Sequence, residues 1–161
     1  MPQQGYYQRV MNFYLTTLGC KLNQAEIEEL ARAIEARGHR VVPGPAEAGW
    51  AIVNSCTVTH IAARKSRQLI RQLHKANAAL RIAVTGCYAT ISPAQIGGLE
   101  GVALVLPNAD KEQMVERILA LSLAGDSVAT GGFLSSYGPH PGRTRALVKI
   151  QDGCDNRCTY C

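Results

Sequence analysis

The strongest constraint in this sequence is an alternation, in which short apolar runs of strand length take turns with longer segments of helical period. Residues 11–18 (MNFYLTTL) read as a buried strand stopping at Gly19 and Cys20. Over residues 24–37, Ile27, Leu30, Ala31 and Ile34 recur at i, i+3, i+4 and i+7, with Asn23 as candidate N-cap and Gly38 as the stop. Residues 40–42 form a short strand, and residues 50–54 (WAIVN) a third that leads directly to Ser55 and Cys56. Thr59 caps a helix over residues 60–76, with Ala62, Ser66, Leu69, Leu73 and Ala76 as its inner stripe. Residues 81–85 (RIAVT) are a fourth strand, ending at Gly86 and Cys87. A fifth at 102–106 precedes a helix capped by Asn108 or Asp110 and running to about 123, with Met114, Val115, Ile118 and Leu121 inward.

Strands alternating with helices predict an α/β domain, a mostly parallel five-stranded sheet with helices on both faces. Right-handed crossovers then bring the carboxyl ends of all strands to one edge. In a flavodoxin-like strand order the first, third and fourth strands are neighbours, and ligands bind at that edge. Cys20, Cys56 and Cys87 lie 36 and 31 residues apart, yet each falls within two residues of a predicted strand end, so their thiols should converge.

At 161 residues and 47% apolar content the chain accommodates one such core and a short extension. The α/β domain is expected over residues 11–124. Residues 125–143, dense in Gly, Ser and Pro, read as a linker, and residues 144–161 begin a further strand and loop. With no apolar run followed by a small-residue cleavage site near Met1, and no long apolar span, neither export nor membrane insertion is expected, which places the chain in the cytoplasm. A reducing compartment turns the reading of its six cysteines from disulfides to metal ligation or catalysis.

Cys154, Cys158 and Cys161 set three thiols within eight residues, close enough for one loop to wrap a cluster. Thiolates are the usual ligands of [4Fe–4S] clusters, and three protein ligands leave one iron open. A zinc site would want four closed ligands, and no further Cys or His follows Cys161 in this sequence. The net charge of +5 is unevenly spread. Residues 48–99 hold no Asp or Glu but carry Arg64, Lys65, Arg67, Arg71, Lys75 and Arg81. Arg64, Arg67, Arg71 and Lys75 make a stripe along the second long helix, either a contact for RNA phosphates or a solvated face.

The string VKIQDGCDNRCTYC (148–161) resembles the radical S-adenosylmethionine motif. TLGCKLNQAE (17–26), NSCTVT (54–59), ARKSRQ (63–68) and VTGCYA (84–89) resemble the N-terminal domain of the methylthiotransferases. That resemblance implies two [4Fe–4S] clusters. Cys20, Cys56 and Cys87 would hold an auxiliary cluster that carries or supplies sulfur, and Cys154, Cys158 and Cys161 one that binds S-adenosylmethionine. Among the branches, CKLNQ looks like the one acting on threonylcarbamoyladenosine in tRNA, whereas the isopentenyladenosine and ribosomal-protein branches usually show CQMN and CPKN.

The implied reaction is methylthiolation of carbon 2 of the modified adenosine beside the anticodon. S-adenosylmethionine is used twice, once as methyl donor and once, reduced by an electron donor, as the source of a deoxyadenosyl radical. An unactivated aromatic C–H offers no acidic proton, so a radical route suits it better than general-base chemistry. The implied partners are tRNA and that electron donor, with no membrane and no DNA. A radical-enzyme barrel and an RNA-binding domain are expected to follow, so the chain alone should not turn over. Alternatives from the residues are another methylthiotransferase branch, a non-enzymatic metal-binding redox module, or a flavin site at the same edge. His60, His74 and His140 show no ligand spacing with the cysteines. Lys21, Asn54 and Tyr88 flank the candidate ligands, and Gly19, Gly86 and Gly153 each precede one.

Overall fold

The structure is a computed structural model, and it describes residues 10–123. Five parallel strands, β1 (Asn12–Thr17), β2 (Arg40–Val42), β3 (Trp50–Ser55), β4 (Arg81–Gly86) and β5 (Val102–Val105), form one sheet in the order β2-β1-β3-β4-β5. The flavodoxin-like expectation is met, with every pairing parallel. The chain steps outward from β1 to β2 and then reverses to β3, β4 and β5, so the switch point lies between β1 and β3. The expected linker (125–143) and the segment 144–161, with Cys154, Cys158 and Cys161, lie outside the described residues.

The sheet is covered on both faces, as parallel sheets must be. Phe13, Trp50, Ile52 and Ala83 pack on one side beneath α1 (Lys21–Ala36) and α5 (Met114–Leu123), which contribute Leu30, Ala31, Ile34, Val115 and Ile118. Ala51, Val53, Ile82 and Val84 point the other way, against Ala63, Ile70 and Leu73 of α2 (His60–Ala76), Tyr88 and Ala89 of α3 (Cys87–Ile91), and Ile96 of α4 (Pro93–Gly97). Alternate residues of β3 and β4 thus serve opposite cores, which is why WAIVN reads as a continuous apolar run.

Several details depart from the expectations. Asn23 is not an N-cap, because α1 starts earlier, with Cys20 in the cap position, and Asn23 turns inward. Thr59 does cap α2, its hydroxyl accepting from the Ala62 N–H at 3.1 Å. The inner stripe of α2 runs through Ala63, Ser66, Ile70 and Leu73; Ala62 and Leu69 are half-buried and Ala76 is exposed. A 3₁₀ turn (Asn108–Gln113) with no side-chain cap precedes α5, whose Leu121 is exposed rather than inward. α3 and α4 were not expected; each is only 5 residues long, too short to show helical period. Among the described residues, no helix is long and apolar enough to cross a membrane.

Candidate metal centre

Cys56 and Cys87 follow directly on β3 and β4, whereas Cys20 comes three residues after β1, one further than its spacing suggested. All three are free thiols, with Cys20 exposed, Cys87 half-buried and Cys56 buried. Gly19 has φ +116, and a Cβ on it would stand 2.9 Å from Cys56 Cβ and 3.1 Å from Cys56 Sγ. The loop carrying Cys20 therefore lies directly on Cys56, and only glycine permits that approach. Gly86 has φ +97, and a Cβ there would meet the Ser55 carbonyl oxygen at 2.2 Å and Asn54 Oδ1 at 2.5 Å. These two glycines bring neighbouring strand ends into contact just where the thiols emerge.

The Cys87 thiol reports the resulting neighbourhood. Burial pushes its pKa up, and the negative fields of Cys56, Cys20 and Glu26 push in the same direction against a backbone hydrogen bond that lowers it. Loops 36 and 31 residues apart in sequence thus meet at one sheet edge.

Cys20 and Cys56 are each also held by a non-cysteine residue of their own or a neighbouring motif, and the residue after Cys87 is anchored. Asn23, buried in the first turn of α1, donates from Nδ2 to the Leu18 carbonyl at 2.7 Å and accepts from Cys20 Sγ at 3.6 Å. The Ser66 hydroxyl on α2 accepts from the Cys56 N–H at 3.3 Å and donates to the Cys56 carbonyl at 2.9 Å. Tyr88, next to Cys87, accepts a hydrogen bond from Arg67, which also stands over its ring, and donates to Gln95 Oε1 at 3.0 Å. Non-cysteine letters of CKLN and ARKSRQ in this way frame Cys20 and Cys56, and Arg67 and Tyr88 of ARKSRQ and GCYA frame the turn that follows Cys87.

This frame revises the basic stripe. Arg64, Arg71 and Lys75 are exposed, but Arg67 is half-buried and engaged with Tyr88. A polar group missed by sequence reasoning lies beneath the edge. Glu26 is 5% exposed, and its carboxylate accepts from Lys111 Nζ at 2.6 Å and from Asn54 Nδ2 at 2.9 Å. Ser66, a polar member of an otherwise apolar stripe, was a legible signal; Lys111, 85 residues from Glu26, left none.

Among the described residues, no group of three or more His, Cys, Asp or Glu is arranged to hold a single metal ion. Three free thiols at one edge are donors of the kind that an iron–sulfur cluster takes, and Cys20, Cys56 and Cys87 would be the residues to hold one.

A five-stranded parallel sheet flanked by helices, with three free thiols just beyond the carboxyl ends of β1, β3 and β4, defines a domain of the α/β class. Residues 12–107 match the model described as "Uncharacterized protein family UPF0004", and the chain belongs to this family, whose named members below are methylthiotransferases. It is 37% identical to the threonylcarbamoyladenosine tRNA methylthiotransferase MtaB of Thermotoga maritima over 91% of this chain and 34% of that protein. Identity to the MtaB of Bacillus subtilis is 36%, over 90% and 34%. The ribosomal protein uS12 methylthiotransferase RimO of Moorella thermoacetica matches at 31%, over 90% and 35%. The chain thus spans about a third of the length of these curated relatives.

Proposed function

We propose that this chain is the N-terminal part of a tRNA methylthiotransferase that converts N6-threonylcarbamoyladenosine beside the anticodon to its 2-methylthio derivative. The observation that carries the reading is the meeting of Cys20, Cys56 and Cys87 at one sheet edge, with Cys20 and Cys56 fixed by residues of the same motifs. Support for the substrate comes from the MtaB relatives, which are 29–37% identical to this chain over 34–39% of their own length.

Residues 11–124 are the auxiliary domain, 125–143 a linker, and 144–161 the start of the radical S-adenosylmethionine domain. Cys20, Cys56 and Cys87 would hold one [4Fe–4S] cluster and Cys154, Cys158 and Cys161 the other. When bound, the first supplies sulfur that can be methylated and passed on, and the second the electron that cleaves S-adenosylmethionine to a radical. The described residues bind and orient. Ser66 fixes the backbone of Cys56 through both its amide and its carbonyl. Arg67 and Tyr88 brace the start of α3, and Gly19 and Gly86 let the strand ends that carry the thiols pack directly on one another. Arg64, Arg71 and Lys75 offer exposed charge to tRNA phosphates, which fixes orientation without reading sequence.

The test is anaerobic iron and sulfide analysis with electron paramagnetic resonance on the full-length protein, beside a variant carrying Cys20→Ala, Cys56→Ala and Cys87→Ala. Two [4Fe–4S] clusters in the parent and one in the variant are expected, and tRNA nucleosides from cells expressing the variant should lack the 2-methylthio group. Stoichiometric zinc without iron in the parent would sink the proposal.

A further inference from the structure

The Glu26–Lys111 pair belongs to neither core, and burying it is costly unless its geometry is good. Lys111 Nζ lies 2.6 Å from Glu26 Oε1, with side chains 11% and 5% exposed, and ties the turn after β5 to the second turn of α1. The other carboxylate oxygen holds Asn54 Nδ2, which also donates to the Asn23 carbonyl at 3.3 Å. Asn54 is fully buried, and its Oδ1 has no hydrogen-bond partner and lies against Gly86, the residue before Cys87. Asn54 therefore bridges the turn that fixes Cys20 and the turn that delivers Cys87, and Glu26 fixes Asn54.

We infer that Glu26, charge-balanced by Lys111 and gripping Asn54, is a positioning residue that sets both the seating of the Cys20 and Cys87 turns and the charge felt by whatever the three thiols hold. The inference deepens the cluster reading above and rests on it. Net charge and hydrogen bonding around the sulfurs tune the potential of such a cluster. Removing one negative charge beside it favours the more negative, reduced state and raises the potential. Removing the cation as well restores the balance.

The experiment uses the full-length protein with Cys154→Ala, Cys158→Ala and Cys161→Ala, so that one cluster remains. It reads iron content and an electron-paramagnetic-resonance redox titration, with circular dichroism to check folding. Glu26→Gln, which keeps an amide able to grip Asn54, is expected to retain iron and shift the potential upward. Adding Lys111→Gln should return it toward the parent, and Glu26→Asp should shift it least. An unchanged potential in iron-replete Glu26→Gln overturns the inference, as does a shift that Lys111→Gln fails to reverse. Should Glu26→Gln not fold, Lys111→Gln alone must lower the potential, and no change there overturns it too. A parent without iron fails the cluster reading, and this inference with it; iron in the parent with no shift in the variants fails the inference alone.

Discussion

The two halves of strands β3 and β4 are equally hidden from water and chemically opposite. Trp50 to Val53 and Ile82 to Val84 are apolar, while the residues that finish the same strands, Asn54, Ser55 and Thr85, are polar at 0–1% exposure. The first halves serve the two cores and drive folding through burial of apolar surface. The second halves satisfy polar groups one at a time and leave two of them, Asn54 Oδ1 and Thr85 Oγ1, without partners. Burial of that kind does not maximise stability, so the ends of these strands are organised for the thiols beyond them.

The sharpest way to break this contrast is Gly86→Ala. Its new Cβ would meet backbone at 2.2 Å in a left-handed conformation, so a loss above about 4 kcal/mol, seen as failure to fold or a collapsed urea midpoint, is expected. Ile52→Ala, in the apolar half, should cost about 3 kcal/mol by denaturant titration. It should leave iron per folded molecule unchanged; iron lost in proportion to stability would erase the distinction between the halves. Ser66→Ala unpairs the Cys56 amide and carbonyl and should cost about 1–2 kcal/mol. Its iron loss under chelator challenge should nevertheless exceed that of Ile52→Ala.

A pH profile tests the opposite end of the sheet. His39, just before β2, has its pKa lowered by burial first and by Arg37 second. The unfolded chain therefore takes up a proton near pH 6.5 that the folded chain refuses until lower pH, so His39 makes stability fall as pH drops below about 6.5. His39→Gln should flatten the urea-midpoint profile there, and an unchanged slope would contradict this. Arg71→Ala should have the smallest effect on stability, within about 0.5 kcal/mol. In the full-length protein it should weaken tRNA binding and reduce the slope of log affinity against log salt by about 1; an unaltered slope would return the residue to a solvated face.

Period alone made the sheet legible. β2 and α2 fall on their expected residues, and β1, β3, β4 and β5 differ by a residue at one or both ends. The observed strand order is the flavodoxin-like one expected for alternating strands and helices. What stayed hidden was short or distant. α3 and α4 have too few residues for a period, and α1 begins three residues before its first expected position because its opening turn is polar. That Cys20, Cys56 and Cys87 come out at one sheet edge was readable from their places after strands. The role of Ser66 in holding one of them required knowing that α2 crosses behind Cys56, and Lys111 meets Glu26 only once β5 has closed the sheet.

The separation of the cysteines along the chain has a consequence for the life of the protein. A group ligated by Cys20, Cys56 and Cys87 would act as a cross-link over two successive crossover units, removing from the unfolded ensemble the freedom of two long loops at once. Loss of that group to oxygen would then release more than a reagent. It would loosen the joints between α1, α2 and α3, so oxidative damage should be legible as faster proteolysis and amide exchange across half the domain.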